Sequence, residues 1–195
     1  MMAPQGARAR EDAGTSSDRF GGSRLAEVEI YTPTGVVAGV TARVPLSTEG
    51  PDLSEPLAIG DARWYPLDGG KPTNRGDVRL QPDEILLLVT DEPDMTVHMN
   101  LYAITIEVGP YRISASIAML PGFDPDRALT RPGGSFIPLR DATIELLGRP
   151  EIAPAERVHI HVNRYAAERV TSSLVLGFYF PGAQFATAPE AVSVA

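Results

Sequence analysis

The sequence contains no cysteine among its 195 residues. Disulfides, cysteine-ligated zinc, iron–sulfur clusters and cysteine nucleophiles are therefore excluded. Long apolar runs are absent too: the longest candidate, Leu174–Phe180, has the length of a strand, whereas a membrane span needs about 18 apolar residues. The opening residues MMAPQGARAREDAG lack the apolar segment of a secretory signal. We therefore expect no membrane partner and a cytoplasmic location.

Positive charge is scarce. The 17 Lys and Arg residues are outnumbered by 25 Asp and Glu, which gives a net charge of −8 and a pI of about 4.9. Binding to a phosphate backbone depends on Lys and Arg displacing counterions, so this balance argues against a nucleic-acid partner. The catalytic patterns GxSxG, HExxH and GxxxxGK[ST] are also missing. The sequence therefore predicts no cofactor and favours a protein that is not an enzyme.

Proline and glycine are abundant, with 18 of each, and this composition suits short strands joined by turns. The sequence therefore predicts an all-β fold. Two segments with proline near their start, Pro51–Glu55 and Gly122–Pro132, each predict one short helical turn. The runs Ile85–Val89 and Leu174–Phe180 have no polar side, which predicts strands covered on both faces. Lys71–Asp77 is rich in turn formers and predicts a loop.

One stretch, Ala103–Leu147, repeats the pattern of an earlier one, Glu27–Gly69. Each reads as a strand, a tight turn, a return strand, a proline-bounded helical turn and a third strand. This self-similarity predicts an internal duplication of one small β unit. At one constant offset, Ile30 matches Ile106, Pro45 matches Pro121, Leu53 matches Leu129 and Pro56 matches Pro132; after a four-residue gap, Trp64–Leu67 falls on Phe136–Leu139.

The duplication predicts two tandem related small β-barrel or sandwich units, each with one short helical turn, packed through the two apolar runs. Segments with little apolar material cannot offset the entropy of being ordered, so we expect disorder at the N-terminus. The predicted divisions are a disordered tail at 1–24, a first unit at 25–89, a linker at 90–102, a second unit at 103–180 and a flexible C-terminal tail at 181–195.

The return strands of the two predicted units differ in one respect. The apolar positions are Val36 and Ala38 in the first and Ile113 and Ala115 in the second, and under the alignment these differ by one residue. A shift of one residue turns every side chain to the opposite face. Either a β-bulge restores the phase in one copy or the two copies pack differently.

Pro121-Gly122, Leu129 and Phe136–Ala142 form a pattern that resembles PG…L…FLPLTDA, which is typical of an uncharacterised bacterial family of small β domains. The resemblance covers about 45 residues of the second unit. It is looser in the first unit, where Asp68-Gly69 replaces the Arg-Asp-Ala ending. The resemblance implies a small β fold and a bacterial setting, and it implies no activity. The element order is also analogous to that of small five-stranded barrels of the SH3 or Sm kind.

Two histidines are candidate metal ligands. His159 and His161 lie two residues apart on one predicted strand, so both imidazoles project from the same face, opposite Val158 and Ile160. They could share a metal with His98 or a carboxylate. The same spacing is typical of any solvated strand face. The sequence therefore predicts no catalytic, cofactor-binding or metal residue, and it leaves these three histidines as candidates only.

Three further features favour a structural interpretation. The acidic segment Asp91–Asp94, with Glu92, lacks the ligand spacing of a calcium loop, so it predicts a solvated linker. Arg131–Ser135 offers flexible backbone for an anion but lacks the spacing and following helix of a phosphate loop, so it predicts a turn. Trp64 and Phe136 occupy equivalent places in the alignment, which favours core anchors over platforms for stacking bases.

These features favour a non-catalytic protein-interaction or assembly module of unknown biological role. Apolar strands offer edges that could pair with another protein or with a second copy. A second hypothesis is a small-barrel binder of nucleic acid or a nucleotide, based on the fold analogy and on arginines in the C-terminal half. A third is a metal-dependent enzyme that uses the face of His159 and His161. The arginines are Arg140, Arg149, Arg157, Arg164 and Arg169.

Overall fold

The structure is a computed structural model that describes residues 25–42, 46–47, 50–51, 53–90, 99–122, 125 and 134–187. These residues form thirteen strands and a 3₁₀ turn at Pro82–Glu84. The first seven strands are β1 (Leu25–Thr32), β2 (Gly35–Ala42), β3 (Leu46–Ser47), β4 (Gly50–Pro51), β5 (Leu57–Pro66), β6 (Thr73–Leu80) and β7 (Leu87–Thr90). The others are β8 (Asn100–Val108), β9 (Tyr111–Met119), β10 (Phe136–Leu146), β11 (Ala155–Asn163), β12 (Ala167–Ser172) and β13 (Gln184–Thr187).

Eleven strands form one sheet in the order β13-β12-β8-β9-β10-β11-β7-β1-β2-β5-β6, and β3 pairs with β4 alone. The predicted all-β class is confirmed. The sheet is open, with β13 and β6 at its two edges, so the predicted barrels do not appear. The reason lies in β7, which would have to pair with β6 to close the first unit. It pairs with β11 of the second unit instead.

The strand order repeats along the sheet. We call residues 25–90 the first half and residues 99–172 the second half. The first half has the order β7-β1-β2-β5-β6, and the second has the order β12-β8-β9-β10-β11. In both, a two-residue turn joins the first two strands, at Pro33-Thr34 and at Gly109-Pro110. Gly109 has a φ of 50°, a conformation that glycine adopts at no steric cost.

A β-bulge lies at the same place in each half. The register of β5 against β2 shifts beside Asp61, and the register of β10 against β9 shifts beside Asp141. These aspartates have φ values of 52° and 50°, and each is followed by a buried alanine, Ala62 or Ala142. Aspartate enters this left-handed region more readily than most residues, because its short side chain can hydrogen-bond locally.

This register corrects the predicted match of Trp64 with Phe136. Trp64 lies opposite Val37 on β2, and Ile144 lies opposite Ile113 on β9, so Trp64 corresponds to Ile144. The Asp-Ala of the bulge occupies equivalent places in the two halves. Pro66 and Pro138 therefore do not occupy equivalent places, although the Pro-Leu pairs align in the sequence.

The register also resolves the phase difference between the return strands. In β2 the buried side chains are Val37 and Thr41, whereas Val36, Ala38 and Val40 are only partly buried. The inward face of β2 therefore agrees in phase with that of β9. The apolar alternation misled the prediction because the other face of β2 is also partly covered.

The two hydrophobic clusters exchange residues between the halves. Phe136 of β10 is fully buried in the cluster of the first half, beside Ile30 and Ile59. In return, Tyr31 and Leu87 of the first half lie in the cluster of the second. Trp64 is partly buried against the first cluster, so it and Phe136 pack in the same core. Because each core is completed by the other half, the halves are fused.

Two local predictions, the strand at Leu174–Phe180 and the loop at Lys71–Asp77, were wrong. Leu174–Phe180 forms bends and turns, with Leu176 and Phe180 anchored in the second cluster. Lys71–Asp77, predicted as a loop, contains most of β6, whose charged residues hid its strand character. No helix occurs within residues 53–55, and most of Gly122–Pro132 lies outside the described residues. The C-terminal tail, predicted to be flexible, includes β13 at Gln184–Thr187.

Candidate functional site between the two halves

The junction between the halves is the pairing of β7 with β11. Leu88 lies opposite His161 and Leu87 opposite Val162. Both leucines are fully buried, because Leu87 packs in the cluster of the second half and Leu88 in the cluster of the first. The central, two-sided burial predicted for this apolar run is therefore confirmed, and it explains why the strand has no polar side.

Asn163 closes the end of the junction. Its backbone N–H donates to the Leu86 carbonyl at 2.9 Å, and its side-chain amide donates to the Ile85 carbonyl at 3.0 Å. Its side-chain oxygen accepts from the N–H of Tyr165 at 3.1 Å, which fixes the turn between β11 and β12. One buried amide therefore satisfies backbone groups of both halves.

Two tyrosines meet beside the junction. The rings of Tyr31 and Tyr111 pack edge to face, with centroids 5.3 Å apart and planes at 84°. The Tyr111 hydroxyl donates to the Thr32 carbonyl at 3.0 Å, and the Tyr31 hydroxyl donates to Oε1 of Glu29 at 2.7 Å. Burial raises the pKa of both phenols, and the negative charge of Glu29 raises that of Tyr31 further.

An ion pair links the halves at the same place. Arg157 of β11 donates from Nε to Oε2 of Glu29 at 2.8 Å, and from Nη2 to Oε1 and Oε2 at 2.9 and 2.6 Å. Its Nη1 donates to the Glu156 carbonyl at 2.7 Å. The side chains are 33% and 25% exposed. The planar guanidinium therefore holds the carboxylate in a two-pronged geometry that lysine cannot reproduce.

A cleft of about 450 Å³ lies between the halves above the tyrosines. A second groove of about 460 Å³ adjoins it and shares Glu29, Ala38, Tyr65 and Arg157. The polar groups on the cleft floor are already bonded to one another, so the cleft presents chiefly apolar surface. Its apolar walls include Val36, Pro66 and Leu67 from the first half and Ile144, Leu146 and Ile152 from the second.

Two of the three candidate metal ligands, His159 and His161, lie on the described strand β11. His161 is buried within the junction, and His159 is partly exposed and lies opposite Arg140. Val158, predicted to face the core, is exposed instead. Within the ranges that the structure describes, no three His, Asp or Glu side chains come together to hold a metal ion. His98 and the acidic segment 91–94 lie outside those ranges.

Three of the five arginines proposed for nucleic-acid binding pair with carboxylates. Arg149 pairs with Glu151, Arg157 with Glu29, and Arg169 with Glu107. Arg164 is only 3% exposed and donates to the carbonyls of Phe178 and Gly134. Arg140 lies on β10. Three of these five arginines therefore have their charge balanced by a carboxylate of the same chain. Of Arg131–Ser135, predicted as a turn, only Gly134 and Ser135 are described, and the Ser135 carbonyl accepts from the N–H of Arg164 at 3.0 Å.

Comparisons with protein-family models, with curated proteins and with solved structures found no match for this chain. The resemblance to a bacterial family of small β domains therefore stays a prediction. Across the described ranges, no helix has the length and apolar character needed to cross a membrane.

Proposed function

We propose that this chain is a non-catalytic protein-interaction or assembly module of the cytoplasm, built from two copies of one five-stranded β unit. The junction is the observation that carries the proposal. The halves join edge to edge, β7 against β11, so that one sheet continues from one half into the other. An edge that binds a neighbouring unit within the chain is the kind of surface that binds another chain.

Three shared features support a duplication. Both halves have the same strand order, and both carry an aspartate bulge at the same place. Their hairpins also have the same register, since Leu25 lies opposite Ala42 and Leu101 opposite Ala118. Unrelated β units have no reason to agree in all three. A duplicated unit also brings two sets of edges, which suits assembly.

The chemistry of the cleft supports a non-catalytic role. A general acid or base must reach a proton on its substrate. Here Glu29, Arg157, Tyr31 and Tyr111 are bonded to one another or to the backbone. Their arrangement stabilises the contact between the halves.

The outer edge of the sheet at β6 supports a selective partner. Arg75, Asp77 and Arg79 lie along this exposed strand. Charged side chains on an edge oppose pairing with arbitrary strands, and they favour a partner with a complementary charge pattern. We therefore infer that the partner presents an extended segment to β6.

Affinity capture with the immobilised full chain from the lysate of its own organism tests the proposal. We expect the wild-type chain to retain a partner in stoichiometric amount and Arg79→Glu on β6 to lose it. Lys71→Glu is the matched control, because it makes the same charge change in the exposed loop before β6 and should retain the partner. Failure of the wild-type chain to retain any protein, with a strict monomer in light scattering, would contradict the proposal.

A further inference from the structure

The fifth strands of the two halves have different neighbours at equivalent edges. In the first half, β7 pairs with β1 on one side and with β11 on the other. In the second half, β12 pairs with β8 on one side, and its other side carries β13. The short strand β13 therefore occupies, on the second half, the place that β11 occupies on the first. It runs parallel to β12, whereas β11 runs antiparallel to β7.

We infer that β13 is a capping strand, and that the edge of β12 beneath it accepts β6 of a second copy of this chain. The inference rests on the proposed function as an assembly module and names its partner. The argument is continuity with the junction inside the chain. There, the fourth strand of one half (β11) pairs with the fifth strand of the other (β7). Between copies, the corresponding strands are β6 and β12.

The register of this intermolecular pairing follows from the strand registers within the two halves and at the junction. Val78 lies opposite Ile59 in the first half, and Ile160 lies opposite the equivalent residue, Leu139, in the second. Val78 of β6 therefore corresponds to Ile160 of β11, and Leu80 corresponds to Val162.

On the accepting side, Leu87 of β7 lies opposite Tyr31, and Arg169 of β12 lies opposite Glu107. Tyr31 and Glu107 occupy the same position in the two hairpins. Arg169 of β12 therefore corresponds to Leu87 of β7. Because Val162 lies opposite Leu87 in the junction, Leu80 of one copy lies opposite Arg169 of the next.

The properties of β13 suit a removable cap. All four of its residues are exposed, so its release uncovers no side chain of its own from the core. It carries no charge that would reject a competing strand, and its parallel pairing is slightly weaker per residue than an antiparallel one. By contrast, Phe180 just before it is fully buried and stays anchored.

The geometry of assembly is head to tail. β6 and β12 lie toward opposite ends of the sheet, so pairing between them uses two different surfaces. Such a contact extends into an open chain or closes into a ring, and each added copy again presents a β6 edge. Capping by β13 limits this growth.

The test releases β13 in the full chain with Phe185→Pro/Ala186→Pro. Adjacent residues of a strand point their N–H groups to opposite sides, so one of the two prolines removes a donor that faces β12. Phe185→Ser/Ala186→Ser is the matched control, because it removes the same side chains and keeps both donors. We expect the proline variant to show a mass that rises with concentration in light scattering, and the serine variant to stay at the wild-type mass.

A cysteine pair tests the register. The chain has no cysteine of its own, so Leu80→Cys/Arg169→Cys reports only the designed contact. In the proline background, oxidation should give a ladder of disulfide-linked oligomers. The control pair is Tyr165→Cys/Arg169→Cys, in which Tyr165 is 65% exposed but lies outside the proposed contact. This pair should give no disulfide-linked ladder.

Two results would overturn the inference. One is a proline variant with wild-type circular dichroism, loss of amide protection in β13 and an unchanged monomer mass. The other is cross-linking that is equal for the two cysteine pairs. If the double variant does not fold, Phe185→Pro and Ala186→Pro are tested singly, and only the one that exposes β12 should associate. Capture of a partner by wild-type β6 is a separate measurement, so capping can fail while the proposed function stands.

Discussion

The carboxylate of Glu29 and the guanidinium of Arg157, 128 residues apart in the chain, form the ion pair that spans the two halves of the sheet. Glu29 lies on β1, the first strand of the hairpin of the first half, and Arg157 lies on β11 of the second. The Tyr31 hydroxyl donates to the same carboxylate. The pair therefore couples the junction strands to the tyrosines beneath the cleft.

A double-mutant cycle measures this coupling. Arg157→Ala and Glu29→Gln should each destabilise the protein, and the double variant should lose less than the sum of the two. We expect a coupling energy of about 1 kcal/mol, because the pair is two-pronged but partly exposed. Arg157→Lys should recover only part of it. The matched control is the exposed pair of Arg112 with Glu107, for which we expect a smaller value. Urea unfolding supplies the energies, and strict additivity would contradict the coupling.

The buried tyrosines predict a stability loss at alkaline pH. Burial raises the pKa of Tyr31 and Tyr111 above the ordinary value of 10.0. Above about pH 10 the unfolded chain releases these protons while the folded chain keeps them. The folded state then binds more protons, so the free energy of unfolding falls as the pH rises, and the contribution is constant below that pH. Urea unfolding between about pH 8 and 11 should show a shallower fall in Tyr31→Phe/Tyr111→Phe. An identical fall in this variant would contradict the assignment.

Phe136 should act on both halves at once. It belongs to the second half by sequence but is fully buried in the cluster of the first. Phe136→Ala should cost about 3 to 5 kcal/mol, the usual range for removing a buried ring. Because the cores are shared, unfolding should stay one transition when followed by Trp64 fluorescence and by circular dichroism. Leu101→Ala, at a residue that is 49% exposed, is the control and should cost little. Two separate transitions in Phe136→Ala would contradict a fused core.

Substitutions at the two bulge aspartates should have equal effects on stability. Asp61 and Asp141 have nearly the same positive φ, at equivalent points of the two halves. Glycine adopts this backbone without strain, whereas a β-branched residue does not. Asp61→Gly and Asp141→Gly should therefore be nearly neutral. Asp61→Val and Asp141→Val should each cost roughly 1 to 2 kcal/mol. Thermal unfolding compares the four variants, and a large cost at one site with none at the other would argue against equivalent bulges.

The sequence predicts the parts of the fold in which local pattern and burial agree. β8 follows from the apolar alternation in Ile104–Val108, and its hairpin follows from the turn at Gly109-Pro110. β7 follows from the two-sided apolar run before Thr90. The sequence-based prediction fails at β6, which was predicted as a loop. The exposed residues of TNRGDVRL carry charges because the strand is at an edge of the sheet. The prediction also fails at β2, whose two faces are both partly apolar. These failures share a cause: burial on each face is set by neighbours far away in the chain.

The site between the halves could not be predicted for the same reason. Glu29 and Arg157 are ordinary charged residues on their own strands, and no local spacing marks them as partners. The same holds for Tyr31 and Tyr111, which meet only because β7 pairs with β11. The two-residue spacing of His159 and His161 suggested a shared ligand, whereas His161 is part of the junction.

The pairing partner of β7 tests the account most directly. In solution, NMR contacts between backbone protons should connect Leu88 with His161 and Leu87 with Val162. The same experiment should show contacts between β7 and β1 on its other side. This result would establish that the two halves are joined edge to edge in one sheet. Contacts from β7 to β6 in place of β11 would close the first half into a separate barrel and contradict the account.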